Sequence, residues 1–484
     1  MSVYSHAMRI PVAPIRHILL ALACSLPGAA ALGLDLPERP QAVLRQQVVP
    51  DSALTVVVRD VVSGDSLIEL NPDVPRNPAS VMKLVPTFAA LDVLGPAYSW
   101  KTRAYADGPV VGGVLKGNLY LKGGGDPLLT LERWWRFVAD LRQTGLRVIE
   151  GDIVIDDELF VPTGERPGDF DNRPWRTYNV LPHPLLVNLH SAEFTIRPDD
   201  EGRYIDVSVN PYPTNLAIEN RIVATDGRCV GRNRTFSLTT PANDPHKVIV
   251  SGTVSRSCPP QSERRVVMTP ADYAYGTFRR LWEQQGGSVA GGMRRGPTPQ
   301  QSRELLMQES QSLAEVVRVV NKFSSNVMAR TLVLTLAAEK LGNPASVGAG
   351  EVVIADWLAS RGLDFPELVI ANGSGLSRHA RISGDSMARM LQAAWQSRYA
   401  PEFLASMALG GLDGTLRRRF ARTPDASRIR MKTGTLNGVS AIAGYVTGES
   451  GRTYAVVIMV NNPGAQSGPG DAVQTAVIDW VLGQ

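Results

Sequence analysis

Two blocks of helical periodicity stand far apart in this chain, and the residues between them have a different texture. Asn77-Pro78-Ala79 opens a run to Leu94 in which Val81, Leu84, Val85, Phe88, Leu91 and Leu94 recur at helical spacing until Gly95-Pro96 stops it. Helical patterning of that kind returns at Leu313 to Val320, Val327 to Leu341 and Val352 to Arg361. From roughly 104 to 299 the pattern is one of short alternating strands and turns, such as Leu146 to Ile155 folded about Glu150-Gly151-Asp152. Two helices are expected inside that stretch, Leu128 to about Gly145 and Asp272 to Gln285. The pattern predicts one β-rich insertion interrupting a domain made from both ends of the chain.

The ends themselves read as sheet. Leu54 to Arg59 and Ser66 to Leu70 flank a Ser63-Gly64-Asp65 turn, which predicts a hairpin. Arg428 to Thr435, Val439 to Val446 and Thr453 to Asn461, joined by short turns, predict an antiparallel meander, and a helix near Ala472 to Leu482 follows. Helices with one antiparallel sheet make an α+β domain. At 484 residues the chain exceeds what one core usually organises. The expected division is 36–103 with 300–484 as the discontinuous domain and 104–299 as the insertion. The insertion is expected to hold two subdomains, about 104–180 with 255–299, and 181–254.

Arg9 and Arg16 before the apolar run Ile18 to Ala23, with small residues Gly28 to Ala31 after it, predict a cleaved export signal over 1–31 and a periplasmic product. No other uncharged stretch is long enough to span a bilayer, so no stable membrane span is expected in the mature chain. Loss of Arg9 and Arg16 takes the formal charge from +4 to +2, which gives no electrostatic case for nucleic acid. Cleavage also removes Cys24 and leaves Cys229 and Cys258, a pair expected to form a disulfide in an oxidising compartment, with two free thiols as the alternative.

Ser80-Val81-Met82-Lys83 falls in the first turn of the predicted helix, so Ser80 and Lys83 project from one face. The positive end of the helix dipole favours loss of the Lys83 proton, and such a lysine can act as general base toward the serine. Alone this pair is weak evidence, since serine is common at helix starts. Ser324-Ser325-Asn326 at a break between two helical runs, and Lys432-Thr433-Gly434-Thr435 on the first meander strand, give it company. This triplet is the known signature of penicillin-binding proteins and class A β-lactamases. Ser324 can relay a proton to a leaving amine, and Asn326 can hold both substrate backbone and the Lys83 ammonium. Lys432 offers a cation to a substrate carboxylate, with the Thr433 and Thr435 hydroxyls as donors. Gly434 lets a substrate strand approach, and the Ser80 and Thr435 N–H groups can form an oxyanion hole.

Longer strings carry a resemblance. Asn77 to Ser80 with Lys83, Gly117-Asn118-Leu119 through Gly123-Gly124-Gly125-Asp126-Pro127, Asn321 to Asn326, Gly373 to Ser377, Asp413-Gly414-Thr415-Leu416 and Lys432 to Gly438 together resemble the class C low-molecular-mass penicillin-binding proteins, the D-alanyl-D-alanine carboxypeptidase/endopeptidase family. The resemblance runs nearly end to end. It implies a penicillin-binding domain of the DD-peptidase/β-lactamase-like kind, with antiparallel sheet and helices interrupted by a large insertion. It also implies a serine enzyme cutting peptidoglycan stem peptides, inhibited by β-lactams and needing no cofactor or metal. The family pattern is departed from at Ser325, where Asp or Asn is frequent, and at Asn372, where aspartate is usual.

Other readings have less behind them. A β-lactamase shares the motifs but lacks so long a stretch between the first and the second, and a catalytically weak penicillin-binding scaffold or wall-binding protein would not need all of Ser80, Lys83, Ser324, Asn326 and Lys432. Asn372 breaks the G-x-S-x-G pattern of an esterase at Ser374. His183, His190, His246 and His379 form no H-E-x-x-H site. Gly123 to Pro127 reads as a tight turn with Asp126 capping the next helix, and Arg417-Arg418-Arg419 as a solvated helix face.

Overall fold

Valines dominate the strand Leu54–Asp60, and its burial leaves no polar face: Val56 and Val58 pack to one side of the sheet and Val57 to the other. A strand buried on both faces must sit inside a layered structure. In the computed structural model, which describes residues 36–199, 201, 203–229 and 235–484, this strand lies between Ser66–Leu70 and Thr453–Asn461. The hairpin and the meander thus form one six-stranded antiparallel sheet. Its order is Ala408–Leu409, Ile429–Leu436, Val439–Thr447, Thr453–Asn461, Leu54–Asp60, Ser66–Leu70. The export signal expected over 1–31 lies outside the described residues.

Helices cover both faces of the sheet. Glu38–Gln46 and Pro469–Leu482 pack Leu44, Val473, Val477 and Val481 against Val56, Val58, Ile442 and Ile458. On the other face Leu84–Leu94, Leu313–Phe323, Asn326–Leu341 and Gly384–Trp395 bury Phe88, Val320, Leu332 and Met387 with Val57, Ala441, Ala443 and Val457. The alternation of Ala441, Ile442 and Ala443 between these clusters is the two-residue strand period. Small residues on the helix-rich face let the helices bearing the site approach the sheet closely.

The middle of the chain has its own buried cluster, with Leu119, Leu121, Trp134, Phe137, Ile153, Phe278 and Trp282 at its centre. A five-stranded sheet ordered Met293–Arg295, Ile153–Asp156, Leu119–Lys122, Lys101–Ala106, Arg303–Glu309 backs it. The helices Leu131–Gln143 and Pro270–Gln284 pack on it through Trp134 and Phe278, whose ring centroids are 6.1 Å apart. A four-stranded sheet ordered Ser288–Val289, Val148–Ile149, Val114–Leu115, Val110–Val111 and two three-stranded sheets complete the region, and Cys229 is bonded to Cys258 within it. No helix among the described residues is long and apolar enough to cross a membrane.

Three local expectations fail for reasons that lie outside their own segments. Leu146 to Ile155 is no hairpin: Val148–Ile149 and Ile153–Asp156 belong to different sheets and pair in parallel with distant strands. Ile149 and all of Ile153–Asp156 are buried, which does not suit one solvated antiparallel ribbon. The cap of the helix Leu131–Gln143 is Thr130, which accepts from the Arg133 N–H, whereas Asp126 accepts from Leu128 N at 2.8 Å in a turn before it. Burial pushes the Asp126 carboxyl up to about 6. The Arg417 to Arg419 run leaves a short turn, Gly414–Leu416, and Arg419 folds inward onto Gln474 Oε1 at 2.8 Å.

Candidate active site

Asn77 prepares the turn that carries Ser80. Its Oδ1 accepts from Ala79 N, its Nδ2 donates to the Ser377 carbonyl, and its backbone exchanges two hydrogen bonds with the Asn461 side chain. Residues Ala79–Lys83 form a tight 3-10 turn leading into Leu84–Leu94, and Ala79 is held at a φ of 46°. That left-handed alanine costs conformational energy, which the surrounding bonds must overcome. Gly375 and Gly434 close the turn from two sides: a β-carbon on Gly375 would fall 1.8 Å from the Ala79 carbonyl oxygen, and one on Gly434 2.5 Å from that of Pro78.

Lys83 is fully buried, and among the described residues no carboxylate is bonded to it; its Nζ meets Ser80 Oγ at 2.8 Å, Asn326 Oδ1 at 2.7 Å and the Ser374 carbonyl at 2.5 Å. Burial, and then the charge of Lys432, hold its pKa well below the ordinary lysine range. A neutral amine has two N–H bonds and one lone pair. The amide and carbonyl oxygens can only accept, so they take the two N–H bonds and the lone pair is left for the Ser80 hydroxyl. The arrangement can therefore draw the proton from Ser80.

Ser324 stands at the break between Leu313–Phe323 and Asn326–Leu341, with a φ of 61° that turns the chain in one residue. Its Oγ accepts from Lys432 Nζ at 2.9 Å. Lys432 is also fully buried, donates to the Thr433 carbonyl at 2.6 Å, and is lowered to about 7 by burial. Thr433 Oγ1 donates to Thr415 Oγ1 at 2.9 Å, while Thr435 is exposed on the strand edge. All eight residues singled out from the sequence, Ser80, Lys83, Ser324, Asn326, Lys432, Thr433, Gly434 and Thr435, thus lie on three elements that meet where the Ser80 turn rests on Ile429–Leu436.

Sequence reading passed over three neighbours. Ser374 supplies a backbone carbonyl to Lys83, and its loop is shaped by Asn372, whose Oδ1 accepts from Ser374 N and Oγ at 3.1 and 2.7 Å. Those bonds need no charge, which accounts for asparagine at that position. Tyr178, from the middle of the chain, accepts from Asn326 Nδ2 at 3.0 Å and so occupies one of the two amide hydrogens. Buried Lys322, two residues before Ser324, donates to the Met407 carbonyl and is paired with Asp413 at 2.5 Å, fixing the turn that presents Thr415. The motif strings around Asn372 and Asp413 were a visible signal for two of these; nothing local marks Tyr178.

An α/β/α sandwich with a Ser-Lys pair under a helix and a Lys-Thr-Gly strand beside it defines a penicillin-recognising type of serine hydrolase. The model of the family described as D-Ala-D-Ala carboxypeptidase 3 (S13) matches residues 39–481. The chain belongs to that family and is a serine-type D-Ala-D-Ala carboxypeptidase. It is 30% identical to a D-alanyl-D-alanine carboxypeptidase of Actinomadura sp. (strain R39), over 97% of this chain and 88% of that one. It is 24% identical to the D-alanyl-D-alanine carboxypeptidase DacB of Haemophilus influenzae, over 92% and 91%. Among solved structures, penicillin binding protein 4 (dacB) from Haemophilus influenzae superposes with a TM-score of 0.77 at 22% identity, covering 92% of this chain and 99% of that one.

Proposed function

We propose that Ser80 is the nucleophile and Lys83 its general base in a peptidase that cuts D-Ala-D-Ala and D-Ala-meso-diaminopimelate bonds of peptidoglycan stem peptides through an acyl-enzyme. The observation carrying this reading is the three-oxygen cage of Lys83 Nζ, which leaves one lone pair, facing Ser80 Oγ. Ser80 attacks the carbonyl carbon of the penultimate D-Ala as Lys83 takes its proton. The negative oxygen that forms is held by the Ser80 and Thr435 N–H groups. Ser324, held by Lys432, passes its hydroxyl proton to the departing amine and is replenished by the proton Lys83 took, so the C–N bond breaks with Lys83 again neutral, and water later cleaves the Ser80 ester, restoring the Ser80 hydroxyl.

The leaving residue carries a carboxylate on the carbon attached to the scissile nitrogen in both substrates, so one recognition site serves both bonds. Lys432 has no exposed surface. Its charge therefore reaches that carboxylate as a field behind the Thr433 and Thr435 hydroxyls, which make the contact. β-Lactams present an amide of the same shape with a carboxylate nearby and should acylate Ser80. The Haemophilus protein has been solved with a β-lactam bound. We place the enzyme in the periplasm after removal of 1–31, and divide it into 36–103 with 300–484 around an insertion, 104–299. The separate buried cluster of the middle region supports that division, except that Arg303–Glu309 pairs with Lys101–Ala106 in the sheet backing this cluster, so both strands go with the insertion; the pairing of Gln261–Arg265 with Ala192–Pro198 ties the expected 181–254 subdomain to its surroundings.

Mass spectrometry after incubation with benzylpenicillin tests the catalytic assignment. A single adduct on the Ser80 peptide, absent from Ser80→Ala, is expected; an adduct that survives in Ser80→Ala refutes it.

A further inference from the structure

A cavity of about 1160 Å³ lies apart from the catalytic set: Ser80, Lys83, Ser324 and Lys432 are absent from its walls. It lies within the middle region, roofed by prolines, with Trp175, Leu238 and Arg265 among its lining side chains and Leu334 of the helix Asn326–Leu341 at one edge. Its two carboxylates are already engaged. Asp157 Oδ2 is bonded to His183 Nε2 at 3.1 Å and Arg295 Nε at 2.8 Å, and Glu165 is paired with Arg330.

Arg265 is different. It is 6% exposed, and its Nη1 donates to the Leu238 carbonyl at 2.6 Å, but among the described residues Nε has no hydrogen-bond partner and no carboxylate pairs with the guanidinium. Glu263, two residues earlier on the strand, attracts it only at longer range. Its guanidinium sits 5.4 Å from the centre of the Trp175 ring. A buried guanidinium with no carboxylate bonded to it is costly, and one set beside an indole at the wall of an open cavity is the arrangement that a carboxylate on a partly apolar stem would complete.

We propose that this cavity is a second binding site, for the C-terminal carboxylate of a peptidoglycan stem peptide, with Arg265 holding the anion and Trp175 packing against the peptide. The substrate class rests on the function proposed above. The position suits such a role. Residues 175–180 form a strap with Trp175 and Val180 toward the cavity, Trp175 O bonded to Val266 N, and Tyr178 O on Asn326 of the catalytic set. A wall peptide held there keeps a multivalent substrate beside the active site and raises its local concentration.

The test uses the full-length mature enzyme with Ser80 first closed by benzylpenicillin, so that only the second site is open. Calorimetric titration with the free tetrapeptide stem and with its C-terminal amide should give saturable binding of the acid, weakened about ten-fold or more by amidation. Equal binding of acid and amide, or no saturable binding of the acid up to about 10 mM, overturns the proposal and requires no variant. Arg265→Met should lose binding to the same degree while its penicillin acylation rate stays that of the parent; unchanged binding in a cooperatively melting Arg265→Met also overturns it. The adduct is read in the same sample, so failure of the catalytic reading shows as no adduct, and failure of this one as an adduct without binding.

Discussion

Buried charge is used differently in the two halves of this molecule. Around the six-stranded sheet, Lys83, Lys432 and Lys322 are all buried, and the first two have no carboxylate bonded to them among the described residues. In the middle region the buried ionisable groups Asp156 and Asp157 are matched: Asp156 accepts from Thr298 and pairs with Lys122, and Asp157 pairs with Arg295. Matched burial serves the fold, because it restores what water provided. Unmatched burial works against the fold and is retained where a displaced pKa is useful. Lys83 and Lys432 are lowered by burial, whereas Asp156 and Asp157 are held low by their partners against it. Asp126, raised by burial, and Arg265, with no carboxylate bonded to it among the described residues, depart from that pattern in the middle region.

The most severe test of this contrast is Lys83→Arg. Arginine keeps its proton, so it should be as damaging as Lys83→Ala, with acylation by benzylpenicillin slowed by about 10²- to 10⁴-fold. Near-parental acylation by Lys83→Arg would remove the base from the mechanism. Gly434→Ala comes next. Its β-carbon would press on the backbone of Pro78 and Ser80 N, so a loss of roughly 1–3 kcal/mol in stability with a fall in acylation is expected, read by chemical melting and stopped-flow. An alanine variant that keeps both would mean that the strand and the Ser80 turn are less tightly apposed.

Reduction of Cys229–Cys258 should lower stability by roughly 2–4 kcal/mol, less if the middle region unfolds separately, and leave the acylation rate intact until unfolding begins. Simultaneous loss of both would show that the two regions are energetically one. The pH profile gives a finer measure. Lys83 must be neutral, so acylation rises with pH and levels off well below 10.5. Lys432 must be charged to attract the substrate carboxylate, so KM should climb above about pH 7, while a bound carboxylate, by favouring the charged lysine, moves that limb upward in kcat. The smallest effect is expected for Asn372→Asp. Aspartate can still accept from Ser374, but its charge lies one loop from Lys83 and should shift the acid limb upward by about one pH unit or less.

Local chemistry was legible without coordinates. The three-residue interval of Ser80 and Lys83, the break at Ser324 and the glycine at 434 each state a requirement within one turn or strand, and the apolar runs of the meander and the long helices announce their burial by period alone. These depend on neighbours a few positions away, so the chain order contains them. The rest depends on partners that chain order does not name. That Val148–Ile149 and Ile153–Asp156 enter different sheets follows from strands more than a hundred residues on, and a buried short strand looks the same whichever ladder receives it. The carbonyls of Ser374 and Tyr178 are identical to every other carbonyl until folding carries them to Lys83 and Asn326. The lowered pKa of Lys432 is likewise written nowhere in Lys-Thr-Gly. It arises because the packed layers remove water from around one ammonium without setting a carboxylate against it, and desolvation is a property of the assembled interior.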